Sequence, residues 1–138
     1  MLRLKLPVYL SLLALLALAL GALPATADDR VFELRVYTST EGRLDDLEAR
    51  FRDHTIRIFG KHEMEVIGFW TPTDEDGSKN TLIYILAFES QEARGAAWQA
   101  FGADPEWQKV AEESGRNGRI LAKLESTMMA PTDYSPMK

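Results

Sequence analysis

The chain contains no cysteine and only two histidines, His54 and His62, among its 138 residues. The first absence excludes disulfides, thiolate nucleophiles, Cys-ligated metals and lipid attachment through an N-terminal cysteine. The second leaves no histidine cluster, because two residues this far apart on a helix project about 80° from each other and do not converge on one ion. There is no glycine-rich phosphate loop, no nucleophile elbow and no ordered Ser/His/Asp set. The acidic turn at residues 74–76 lacks the spaced ligands and closing Glu of a calcium loop. Lys and Arg number 16 against 21 Asp and Glu. That acidic balance argues against nucleic acid or an anionic membrane as partner, since phosphate binding draws on clustered cations.

A long hydrophobic run is also missing. The apolar stretch at residues 8–20 falls short of the roughly 20 residues a spanning helix needs. Arg3 and Lys5 precede it and Ala25-Thr26-Ala27 follows it, which is the layout of a cleavable secretory signal over residues 1–27. Export to the periplasm or medium is therefore expected, with no membrane association after cleavage. Loss of Arg3 and Lys5 with the leader takes the formal charge from −5 to −7. An uncleaved anchor is the competing reading.

What remains, residues 28–130 with an irregular tail at 131–138, is sized for one domain with its own core. Residues 31–37, Val-Phe-Glu-Leu-Arg-Val-Tyr, alternate as a strand, with Phe32, Leu34 and Val36 on one face and Glu33, Arg35 and Tyr37 on the other. Leu44, Leu47, Phe51, His54 and Ile58 recur at helical spacing within residues 42–62. A strand is expected at 64–71, a solvated turn at 72–80 and a third strand at 82–88. Ser90 reads as the N-cap of a second helix with Ala93, Ala97 and Phe101 on one stripe. Asp104-Pro105-Glu106 reads as the N-cap, N1 and N2 of a short third helix, and residues 119–128 as the last strand. The order β-α-β-β-α-β is the split βαβ, ferredoxin-like α+β arrangement. Its sheet carries helices on one face only, yet Ile83 and Ile85 point one way while Leu82, Tyr84, Leu86 and Phe88 point the other. An apolar face left without helices would be covered most simply by a second copy, so a homodimer is expected.

Several residue strings, in order, carry a family resemblance. They are Glu33-Leu34-Arg35-Val36-Tyr37, Phe51-Arg52-Asp53-His54-Thr55, Gly68-Phe69-Trp70, Glu92-Ala93-Arg94-Gly95-Ala96-Ala97-Trp98, Asp104-Pro105-Glu106-Trp107 and Glu125-Ser126-Thr127. With this spacing the chain resembles the NIPSNAP family. The resemblance implies the dimeric α/β-barrel form of the ferredoxin-like fold, a dimer and an interior cavity, but no reaction. The secretory leader departs from the better-known animal members, which are associated with mitochondria.

In such a barrel the helix-free face lines the interior, and Glu33, Arg35 and Tyr37 are expected there with Lys123 and Glu125. They read either as ion pairs at the dimer core or as the polar wall of a small-molecule cavity. In the second reading Arg35 binds an anionic or enolic ligand oxygen, Tyr37 donates a second hydrogen bond, and Glu33, Trp70 and Tyr84 complete the ligand-binding set. His54 is the candidate general base, against the plainer reading of a buried neutral histidine. His62 is assigned to the helix end. No cofactor and no metal is expected, and the haem handled by other dimeric barrels has no support in the residue pattern. Two functions stay open: a ligand-binding or enzymatic barrel, by analogy with cofactor-independent monooxygenases and isomerases of this fold, and a non-catalytic structural or interaction dimer.

Overall fold

The computed structural model describes residues 30–138; the expected leader lies outside them. Nine residues form β1 (Val31–Ser39). A long helical segment follows in three pieces, α1 (Leu44–Arg50), a π-helical turn (Phe51–Thr55) and α2 (Ile56–Lys61). Then come β2 (Glu65–Trp70), a 3-10 turn (Gly77–Lys79), β3 (Thr81–Phe88), α3 (Gln91–Ala103), α4 (Pro105–Gly115) and β4 (Leu121–Met129). The four strands form one sheet in the order β2-β3-β1-β4, and every neighbouring pair is antiparallel. This is the ferredoxin-like arrangement that the sequence predicts.

Both helix starts follow their local chemistry. The Ser90 hydroxyl accepts from the Ala93 amide at 3.1 Å, and Asp104 accepts from the Glu106 amide at 2.8 Å with Pro105 at the position that has no amide hydrogen to leave orphaned. Between helices and sheet lies one core, built on Leu47, Ile58, Phe59, Tyr84 and Leu86. Its aromatic rings interlock largely edge-to-face or tilted, with Phe51 touching Tyr37, Phe59, Phe69 and Tyr84.

Strand alternation held, but the face of β1 turned toward the helices is the opposite of the one expected. Glu33, Arg35 and Tyr37 lie on the covered side, opposite Leu86, Tyr84 and Leu82 of β3. Leu34 and Val36, half-buried, lie on the uncovered side, opposite Ile85 and Ile83. Alternation reveals which residues share a face; only the donors carried by α3 decide which face it covers. Trp70 joins the uncovered face beside Ile83 and folds back over Gly68. A Cβ at that glycine would sit 2.7 Å from the indole, so a larger residue there would displace the ring. Lys123 and Glu125 are on the uncovered side as expected, paired with each other at 2.9 Å.

The helix stripe also shifts. Leu44, Leu47, Phe51, Thr55, Ile58 and Phe59 are buried, while His54 is exposed. The π-turn inserts an extra residue per turn, and the Thr55 hydroxyl donates to the Arg50 carbonyl five residues back at 3.1 Å. Thr55 thereby takes the inward position that the spacing predicts for His54.

Candidate functional site

The polar row of β1 is roofed by α3 and flanked by β4. Glu33 is fully buried and has a donor for each oxygen lone pair that geometry allows. Arg94 grips it with two bonds, Nη2 to Oε1 at 2.8 Å and Nε to Oε2 at 3.0 Å. Trp98 Nε1 donates to Oε2 at 2.7 Å and the Ser126 hydroxyl to Oε1 at 2.6 Å. Burial by itself pushes this carboxyl up, but the bonds from Arg94, Ser126 and Trp98, with the charge of Arg35, outweigh it and hold Glu33 below its ordinary value.

Arg35 is in the opposite condition. Its guanidinium stacks on the Trp98 ring at 4.1 Å and lies 5.5 Å from the Tyr37 ring. Its Nη1 is 3.5 Å from Glu33 Oε1, an ion-pair contact rather than a hydrogen bond, and its buried Nε has no partner. Two residues along the same row, Tyr37 shares a 2.8 Å hydroxyl contact with Tyr84. Two hydroxyls joined by one hydrogen bond leave one O–H unused. Burial, and then Tyr37, push the Tyr84 phenol well up, so it stays neutral. Arg50 approaches the phenols from α1, where burial lowers its pKa and the two phenols interact with it electrostatically. Its Nη1 reaches Ser114 at 3.4 Å and its Nε has no partner.

Among the described residues, three buried side-chain polar atoms lack a partner: Arg35 Nε, Ser39 Oγ and Arg50 Nε. All belong to the β1 row or to the helix facing it. The site is rich in donors and poor in acceptors. It also has an open flank, since Leu124 and Met128, the β4 neighbours of Tyr37 and Glu33 in the register, are 44% and 37% exposed. Sequence reasoning found Glu33, Arg35, Tyr37 and Tyr84, which the structure brings together. It missed the helix-borne partners Arg94, Trp98, Arg50 and Ser114, for which alternation along strands offers no signal. The structure does not bring His54 or Trp70 into this group: His54 is exposed, and Trp70 is on the other face of the sheet.

His62 sits elsewhere, with Nε2 2.8 Å from Asp104 Oδ2. Lys61 reaches the same oxygen at 2.7 Å. Lys61 and His62 hold the Asp104 carboxyl far below the usual range, and Arg57 with Lys61 takes Glu106 to about 2. This network ties the end of α2 to the start of α4. Two surface clefts, of about 930 Å³ and 330 Å³, are lined by neither Arg35, Tyr37 nor His54.

The strand order and the one-sided helix layer define a ferredoxin-like α+β protein. The NIPSNAP family profile matches residues 32–136, and the chain belongs to the NIPSNAP family. Among solved structures it is similar to a NIPSNAP family protein with unknown function from Agrobacterium tumefaciens, at 24% identity and TM-score 0.69, covering 84% of this chain and 100% of that one. An uncharacterized NIPSNAP-like domain protein from Burkholderia xenovorans is similar at 20% identity and TM-score 0.69, over 79% of this chain and 90% of the other. SnoaB, a cofactor-independent oxygenase from Streptomyces nogalater, shares the fold at 16% identity and TM-score 0.51, over 78% of this chain and 98% of its own. No curated protein matches the chain.

The depressed Glu33 carboxyl links stability to pH with a definite sign. A folded-state pKa below the unfolded one contributes stability above the ordinary value of 4.5, and that contribution is lost as pH falls through the folded value. Glu33→Gln should cost about 3 kcal/mol at neutral pH by leaving the arginines unpaired, and should flatten the loss of stability on acidification. Urea unfolding at a series of pH values measures both; an unchanged acid slope in the variant would remove Glu33 as the cause.

Proposed function

We propose that the protein is an exported homodimer that binds a small anionic molecule at the Arg35–Tyr37 row. The observation that carries this reading is the surplus of buried donors: Arg35 with no hydrogen bond among the described residues, an unused phenolic O–H, and the orphaned Nε of Arg50. Buried polar groups are nearly always paired, and an acceptor brought by a ligand would complete these. A carboxylate or enolate oxygen suits a planar guanidinium already oriented by stacking on Trp98. Entry is along the open flank of β4. These donors suit an oxyanion and not iron, so the reading needs no resident cofactor. His54, exposed and off the row, has no part in it. No reaction is assigned, since the likeness to the oxygenase SnoaB extends to the fold alone.

The dimer rests on two surfaces. Leu34, Val36, Ile83 and Ile85 form an apolar patch with Trp70, which is 49% exposed, and β4 is exposed along nearly its whole length. A second copy laid on the uncovered face would bury the patch and the Lys123 and Glu125 side of β4, leaving the Leu124 and Met128 side open to a ligand. The competing reading, a structural or interaction dimer, is favoured by the complete pairing of Glu33, which would serve a purely architectural role as well.

Light scattering should give a dimer for wild type at micromolar concentration and a folded monomer for Ile85→Asp; a monomeric wild type removes the dimer. A thermal-shift screen with small carboxylic and enolic acids should find ligands that stabilise wild type and lose that effect in Arg35→Met. Equal stabilisation of both proteins would return the row to architecture. Export predicts an intact mass for the secreted product beginning at about Asp28, and a membrane-retained chain still carrying residues 1–27 would refute it.

A further inference from the structure

The helical segment carries a second feature that the polar row does not use. At the π-turn, a cleft of about 330 Å³ opens between the helix and the ends of β2 and β3. This volume is at the lower end for small-molecule sites. Its floor is Phe51, Phe69 and Leu82; Phe51 and Phe69 meet edge-to-face with centroids 5.5 Å apart. Ile56 forms its helix-side lip and is unusually open for such a residue, at 40% exposed; the end of β2 at Trp70 and Thr71 borders it, with the Trp70 indole on the other face of the sheet. Ile56 directly follows the π-turn, whose extra residue re-phases the helix; Ile58 and Phe59 go into the core while Ile56 is left at the cleft mouth. π-turns of this kind recur at functional sites.

The rim is charged on the helix side. Arg52 stands one turn after Glu48, and their closest atoms are 3.8 Å apart with the arginine 69% exposed. That is a loose, solvated contact, which leaves the guanidinium available to a better acceptor. The walls therefore specify an occupant: aromatic rings below, an aliphatic lip, and at the edge a planar cation held only loosely by Glu48. We infer that this cleft binds a flat aromatic molecule of one or two rings bearing an acidic group, with the rings between Ile56 and the Phe51–Phe69 floor and the acid on Arg52. The inference is independent of the Arg35 row, from which Phe51 and Phe69 separate the cleft by contacting Tyr37 and Tyr84.

The probe is 8-anilinonaphthalene-1-sulfonate, with N-phenyl-1-naphthylamine as the same ring system without the charge. Fluorescence titration of the full mature protein should show saturable binding of both at one site per chain. Ile56→Glu, a change at an exposed position, should weaken both at least about tenfold. Arg52→Gln should weaken the sulfonate about fivefold to tenfold and leave the neutral probe unchanged. Arg35→Met should leave both unchanged, which separates this site from the polar row. Should Ile56→Glu fold poorly by near-ultraviolet circular dichroism, the contrast between the two probes in Arg52→Gln decides alone. Probe binding unaltered by either cleft variant, or no saturable binding, overturns the site. A dimer converted to monomer by Ile56→Glu in light scattering also overturns it, making the cleft a contact between subunits.

Discussion

One buried carboxylate organises this domain. Glu33 is on the central pair of strands with no access to water, and an ion there is tolerable only if its surroundings replace the lost hydration. Arg94 and Trp98 do so from α3 and Ser126 from β4, so a single side chain fixes the second helix over the sheet and the last strand beside the first. The orientation of Trp98 follows from its bond to Glu33, and the stacking of Arg35 follows from Trp98. Removing the charge would loosen three elements at once, whereas removing one apolar core residue opens only a local void.

The same arrangement explains the contrast within one row. Glu33 supplies the carboxylate acceptors of the row, and both its oxygens are filled by Arg94, Trp98 and Ser126, so Arg35 Nε and the free phenolic O–H further along β1 have no acceptor left to them. Arg35 is held by stacking on Trp98 with no hydrogen bond among the described residues, and Arg50 by stacking on Trp107 with one long bond to Ser114. Stacking sets the plane of a guanidinium while leaving its edge free, and a free edge in a fixed plane is a directional recognition element.

Much of the fold was legible in the residues. The strand periods, the Ser90 and Asp104 caps and the element order all follow from local chemistry, and the membership of Glu33, Arg35 and Tyr37 in one row follows from a period of two. Two things were not. Which face of β1 is covered depends on Arg94 and Trp98, some sixty residues away in sequence, and a charged row read by itself suggests the outside. The choice between His54 and Thr55 for the inward position was equally closed to sequence, because a period of 3.6 starting from Phe51 falls between them. The π-turn decides in favour of Thr55.

That turn has a consequence for how the helical segment should be regarded. α1 and α2 share an axis but not a phase: each is a regular helix, and the inserted residue rotates one relative to the other by about 100°. Leu44 and Leu47 face the sheet from α1, Thr55 continues inward through the turn, and Ile58 and Phe59 do so from α2. The segment thus works as two short cylinders coupled by a fixed phase angle, and its length in residues, not only its composition, is part of what the sequence encodes.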